Sequence, residues 1–141
     1  MDLAGVELIG LKVVGTDSDQ GRIVKVVEDI SRDIPVREVY ISEVNPGVIK
    51  GWKCHSSMYC RLTVMKGRLI FNLSDNERVG LRRVEMHDRA PKMLIIPPGI
   101  WFAFYNPNQD VSSVLNFASA LHDPTEAVNI SSAEFPLSFQ K

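Results

Sequence analysis

Short runs of apolar residues, rich in Val, Ile and aromatics and each closed by Gly, Pro, Asn or Asp, recur along this chain. That spacing constrains the fold more than any other feature. The runs read ELIGLKVV, RIVKVVE, REVYISEV, CRLTVMK, RLIFNLS, LRRVEM, KMLIIP, IWFAFYN and SSVLNFAS. Branched and aromatic side chains fit a pleated surface, and the punctuating residues supply turns. No segment keeps a helical apolar period beyond about three turns. The expected class is all-β. Many short strands with frequent turns predict a sandwich or barrel, because closing a sheet hides edges that would otherwise pair with other chains.

At 141 residues the chain predicts one domain over 1–141, large enough to bury a core without staples. A hydrophobic share of 45% excludes a disordered chain, and a net charge of −1 with no basic run gives a nucleic-acid backbone no footing. Cys54 and Cys60 are too few for a disulfide framework and lack C-x-x-C spacing, so structural thiols are expected. The opening MDLAGVELIG has no basic head before a long apolar core, and no run is long enough to cross a membrane. A cytoplasmic protein is the expectation. The tail, EFPLSFQK, carries apolar residues and is expected to pack on the body or on a partner.

Two segments sharpen the architecture. PPGIWFAFYN, from Pro97 to Asn106, starts with a turn whose Gly99 can take positive φ and continues as a strand that puts Ile100, Phe102 and Phe104 on one face. It resembles the second signature of the cupin superfamily, with Pro97, Gly99 and Asn106 in place and Phe102 where a histidine belongs. Gly51 to Gly67 is similar to the first signature. There Lys53 replaces the first histidine, His55 keeps the second, Cys60 takes the acid's place and Gly67 keeps the turn. The resemblance implies a double-stranded jelly roll, a single barrel in which CRLTVMK and IWFAFYN line the cavity. One imidazole and one thiol cannot close a stable metal site, and a lysine ammonium among them would repel a cation, so no metal is expected.

A closer resemblance runs through REVYISEVNPGVIKGWKCH. This stretch is similar to the deoxythymidine-diphosphate-sugar epimerases and ketoisomerases, cupins acting on 4-keto-6-deoxyhexoses. In them an arginine-glycine step precedes one or two inward histidines; here the step is Lys50-Gly51, and of the histidines only His55 is present. SDQGRIVKVVE is similar to the family's early aspartate and arginine-glycine, with Gln20 in the arginine's place and Arg22 beyond the glycine. VLNFASALHDPTE resembles the last barrel strand and its corner, where Asn116 and His122 take positions aligned with tyrosines. The resemblance covers roughly residues 6 to 126 and is stronger in scaffold than in chemistry. It implies a nucleotide-sugar ligand, no cofactor and a homodimer in which sheet edges meet.

Epimerising or isomerising a 4-ketosugar needs a base for the proton beside the carbonyl, a group to hold the enolate, and an acid. Lys53 and His55 are two apart, so on an extended chain they share the face that the cupin alignment turns inward, with Cys54 facing away. Either could be the base; His55 suits neutral pH, and Lys53 could instead hold the enolate. Tyr59 is the nearest candidate acid. Lys50, Arg22, Arg37 and Arg61 are candidates for the diphosphate, and Phe102, Asn116 and His122 complete the candidate substrate-binding set. Plainer readings stand beside these. His55 could be a hydrogen-bonded core residue, Lys53 could reach solvent, Phe102 could simply pack the barrel, Trp52 and Trp101 could pack or meet a subunit, and His87 reads as surface loop. At the level of function, an inactive cupin that binds a nucleotide sugar or another metabolite, or serves as a partner subunit, is the alternative to an isomerase.

Overall fold

The computed structural model describes residues 1–27 and 34–141, and every described element is a strand. In chain order these are β1 (Glu7–Gly10), β2 (Lys12–Val14), β3 (Ile23–Lys25), β4 (Glu38–Val44), β5 (Ile49–His55), β6 (Cys60–Lys66), β7 (Arg68–Ser74), β8 (Arg82–His87), β9 (Lys92–Ile96), β10 (Trp101–Tyr105), β11 (Ser112–Ala118) and β12 (Ala127–Asn129). Two five-stranded sheets, ordered β1-β9-β6-β11-β4 and β12-β5-β10-β7-β8, face each other as a jelly roll, and β2 pairs with β3 in a separate hairpin. All pairings are antiparallel. Among the described residues no helix is long and apolar enough to cross a membrane.

Period-two alternation decides what lies between the sheets. In β7, Leu69, Phe71 and Leu73 point into the core, where they meet Leu62 and Val64 of β6, Leu94 and Ile96 of β9, Val114 of β11 and Phe102 of β10. Alternation also governs β10: Phe102 joins this core while Trp101 and Ala103 turn to the outer face of their sheet. There they form a second cluster with Trp52, Cys54 and Phe135, over which the tail folds. The tail thus packs on the body, and on β7, buried on both faces, it is met by Asn72, which bonds the backbone of Gln140.

The expected run ELIGLKVV is not one strand. It breaks at Leu11, whose N–H donates to Pro91 O at 3.0 Å, so that β1 stays on β9 and β2 leaves for the hairpin. RIVKVVE is represented by β3, and its last residue, Glu28, lies outside the described residues. His87 closes β8 opposite Arg68 instead of standing in a loop. β12 went unanticipated because three residues carry no alternation to read.

Gly51 is where the second sheet is tightest. Its φ is +111°, and a Cβ there would lie 2.8 Å from Phe102 O and 2.9 Å from Ala103 Cα. Both obstacles are backbone in a central strand and cannot swing aside. Gly51→Ala should therefore destabilise the fold by about 2–4 kcal/mol, from a positive-φ side chain plus overpacking. A lowered urea midpoint with an unchanged m-value is the expected result.

Candidate active site

β5 supplies the wall on which the chemistry stands. Opposite β10 it runs Phe102 to Lys53, Ala103 to Gly51 and Phe104 to Lys50, so one residue, Trp52, is skipped between Lys53 and Gly51. Such a bulge shifts the alternation by one. Lys50 therefore faces inward beside Phe104, and Lys53 and His55 also face inward, although Lys50 and Lys53 are three apart. These side chains, with Tyr40, Ser42, Leu62, Phe102, Val114, Asn116 and Asn129, line an inner cavity of about 300 Å³. Tyr40, Lys53, His55 and Asn129 also border an outer vestibule of about 300 Å³, edged by Glu38, Met58, His122, Asp123, Pro124 and Glu126.

At the boundary between the two, His55 Nδ1 lies 2.5 Å from Glu126 Oε1, with the side chains 9% and 8% exposed. Glu126 Oε2 accepts the backbone N–H groups of Ser57 at 2.8 Å and Met58 at 3.0 Å. Burial alone would raise this carboxyl's pKa. The hydrogen bonds from His55, Ser57 and Met58, with the His55 charge, outweigh it and hold the group at about 2. Glu126 is therefore an acceptor-only carboxylate across the working range. His55 Nδ1 must carry the proton between them, so in the neutral imidazole Nε2 is the nitrogen with a free lone pair. The Phe102 ring lies 6.1 Å from the imidazole, near parallel to it.

Across the cavity, Asn116 Nδ2 donates to Tyr40 Oη at 2.9 Å, and Asn116 Oδ1 accepts the Arg61 N–H at 3.0 Å. Burial, only partly offset by the Asn116 hydrogen bond, raises the Tyr40 pKa, so its phenol keeps its proton. Since Asn116 is the donor in that contact, the Tyr40 O–H remains able to donate into the cavity. Lys50 Nζ donates to Ser42 Oγ at 2.9 Å and to Glu43 O. Among the described residues no hydrogen bond or ion pair holds Lys53 Nζ, and no carboxylate lines the inner cavity.

The structure thus brings together Lys53, His55, Lys50, Phe102 and Asn116, and sets His122 at the vestibule, where its backbone N–H donates to Glu38 Oε2 at 3.1 Å. Other expected members lie elsewhere. Tyr59 borders neither chamber; its backbone pairs with Ser119 in the turn before β6. Arg61 is turned to the outside of β6, with Nε on Phe117 O at 3.0 Å, Nη1 on Ile34 O at 2.9 Å and Nη2 on Pro35 O at 2.5 Å. Those bonds pin a loop and leave it no role at a diphosphate. Arg22 donates to Asp88 O at 2.5 Å near the hairpin, and Arg37 is exposed at the start of β4; neither borders the cavity. Cys54 faces away from the cavity into the aromatic cluster. Burial pushes the Cys60 thiol up to about 11, a shift the Asn116 hydrogen bond only partly offsets, so a neutral thiol stands at the cupin acid's position. Among the described residues no three His, Cys, Asp or Glu side chains gather where they could hold a metal ion.

Fold and site together define a single-barrel cupin whose cavity holds a carboxylate-oriented histidine. The chain belongs to the FdtA family: the family model described as "FdtA: WxcM-like, C-terminal" matches residues 4–135. No curated protein matches it. Among solved structures it is similar to a dTDP sugar isomerase from Desulfovibrio desulfuricans G20, with 24% identity over 96% of this chain and 91% of that one and a TM-score of 0.84. It is also similar to QdtA, a sugar 3,4-ketoisomerase from Thermoanaerobacterium thermosaccharolyticum in complex with TDP, with 20% identity, coverage of 90% and 89%, and a TM-score of 0.76. The RmlC epimerase of Mycobacterium tuberculosis is similar at 20% identity, 98% and 78% coverage and a TM-score of 0.79. These likenesses establish the cupin jelly roll.

The Glu126 carboxyl has a folded-state pKa of about 2, below its usual 4.5. It therefore contributes stability that is fully present above about pH 4.5 and is lost as pH falls towards 2. Glu126→Gln should be less stable at pH 7 and should lack that segment of the acid limb. Urea midpoints measured from pH 7 to pH 2 check this, and parallel profiles for the two proteins would contradict it.

Proposed function

We propose that this protein is an isomerase of the epimerase or ketoisomerase kind, acting on a thymidine-diphosphate-linked 4-keto-6-deoxyhexose by proton transfer beside the keto group. The observation that carries the reading is the His55–Glu126 contact at the cavity boundary. It fixes the imidazole with Nε2 as a base, and an oriented base is what proton abstraction beside a carbonyl requires. Family membership and the sugar isomerases, epimerases and TDP complex among its structural neighbours support the substrate class.

In this reading His55 Nε2 takes the proton beside the carbonyl. Lys53 Nζ, without a carboxylate of its own in the inner cavity, stabilises the charge that develops on the carbonyl oxygen. Tyr40, rather than Tyr59, returns a proton from across the cavity, because its O–H faces the space that the sugar would fill. Lys50 is the diphosphate contact: Ser42 and Glu43 take two of its donors, and a third stays free. Phe102 and Phe104 offer the sugar an apolar wall. The protein works as a homodimer in the cytoplasm. Among the described residues β4 is the edge of its sheet, with Val39 and Ile41 51% and 55% exposed, the β2–β3 hairpin belongs to neither main sheet, and the buried thiols of Cys54 and Cys60 suit a reducing compartment. Light scattering at micromolar concentration should give the mass of a dimer.

Incubation with thymidine-diphosphate 4-keto-6-deoxyglucose in deuterated water should wash deuterium into a position beside the carbonyl. His55→Asn should slow this by about 10²–10⁴-fold as the loss of a general base. Lys53→Met should slow it by about 10²–10³-fold, with thymidine diphosphate affinity nearly intact. Tyr40→Phe should keep the wash-in and slow conversion to product. A wild type that binds the nucleotide yet exchanges nowhere would make the cavity a binding site only.

A further inference from the structure

The alternation of β5 depends on a residue that never touches the cavity. Counting inward from Lys50, strict alternation would turn Trp52 into the barrel and Lys53 and His55 out of it. The skipped Trp52 prevents this, and the C-terminal segment packs against Trp52 on the side away from β10. On its other edge Trp52 pairs with Ile130, N–H to O at 2.7 Å one way and 2.9 Å the other. Its side chain is fully buried on the outer face, with the Phe135 ring stacked on it at 4.0 Å and 9°, and Phe139 at 6.2 Å. The indole N–H has no hydrogen-bond partner among the described residues, so packing alone holds the ring. The end of the segment is pinned in turn: Gln140 N–H donates to Asn72 Oδ1 at 2.7 Å, and Asn72 Nδ2 donates to Gln140 O at 2.9 Å.

We propose that Phe135, on this C-terminal strap, is a positioning residue for the cavity cations: by clamping Trp52 on the outer face it sets the strand phase on which Lys50 and Lys53 both face the substrate. The inference rests on the isomerase reading for its kinetic readout and on the register of β5 for its physical content. A one-residue change of phase inverts every side chain beyond it, so a small outward packing contact controls whether the two lysines share one face.

The test compares wild type, Phe135→Ala, Phe135→Leu, Lys53→Met and the Phe135→Ala/Lys53→Met pair, each well below its own thermal midpoint. At saturating thymidine-diphosphate 4-keto-6-deoxyglucose, Phe135→Ala should lower deuterium wash-in by about ten- to a hundredfold, the effect of misplacing a reacting group by about an ångström. Phe135→Leu, which keeps bulk over Trp52, should recover most of the loss. Because His55 is held separately by Glu126, Phe135→Ala should add nothing to Lys53→Met in the double variant, the contribution it acts through being already gone. Losses that multiply, or full wash-in from a folded Phe135→Ala, overturn the proposal. Should Phe135→Ala not fold, Phe139→Ala at the margin of the same cluster takes its place, with a smaller loss that Lys53→Met again absorbs. A second readout needs no substrate: after ¹³C-dimethylation, the Lys50 and Lys53 NMR signals should move in the strap variant while those of Lys12 and Lys92 stay fixed. Unmoved Lys50 and Lys53 signals refute the strap, whereas a wild type that neither binds thymidine diphosphate nor exchanges refutes the isomerase reading and leaves the lysine signals to decide the strap.

Discussion

The contact between His55 Nδ1 and Glu126 Oε1 joins parts of the chain 71 residues apart and organises the end of the barrel where both chambers open. Through Oε2 the same carboxylate accepts the Ser57 and Met58 N–H groups, so the turn leaving β5 is fastened to the segment that becomes β12. β12 then pairs with Cys54 and Lys53. One buried carboxylate thus satisfies three donors, sets the tautomer of the imidazole and holds the edge of the second sheet. Removing it would take the acceptor from all three donors at once, and the loss is greatest at the part-buried His55 and Met58 contacts.

Lys53 and Lys50 show how two ammonium groups on one wall take different parts. Lys50 is tied to Ser42 and Glu43 across the gap between the sheets, which fixes its position at the cavity side. Lys53 sits between Phe102 and Asn129 with no such tether among the described residues. An inward ammonium beside apolar walls is unfavourable unless water or an anion meets it. Among the described residues no carboxylate lines the inner cavity, while Glu38, Asp123 and Glu126 edge the vestibule that Lys53 also borders; in the proposed chemistry an enolate oxygen is the transient anion on the inner side.

The strands were legible because alternation and turn residues are local properties. Lys53 and His55 share a face by their spacing of two, and Phe102 and Phe104 by the same rule. Arg61 is legible as well: it stands between Cys60 and Leu62, both in the core, so alternation alone puts it outside the barrel and away from a diphosphate in the cavity. Tyr40 had a comparable signal, two residues before Ser42 in REVYISEV, whereas Tyr59 was favoured for nearness in sequence to His55. Glu126 had no local signal, since β12 is short and the pairing that delivers it to His55 is long-range. The bulge at Trp52 was equally hidden, because a register shift is a relation between β5 and its partner strand and cannot be read from β5 alone.

The proposed chemistry depends on which nitrogen of one ring carries the proton. Long-range ¹H–¹⁵N correlation spectra of the histidine side chains at pH 8, with His55 assigned by His55→Asn, read its tautomer directly. The account predicts a protonated Nδ1 facing Glu126 and an unprotonated Nε2, with Glu126→Gln disturbing that pattern. A neutral His55 carrying its proton on Nε2 would contradict it, for the nitrogen free of Glu126 would then have no lone pair with which to take a proton from the sugar.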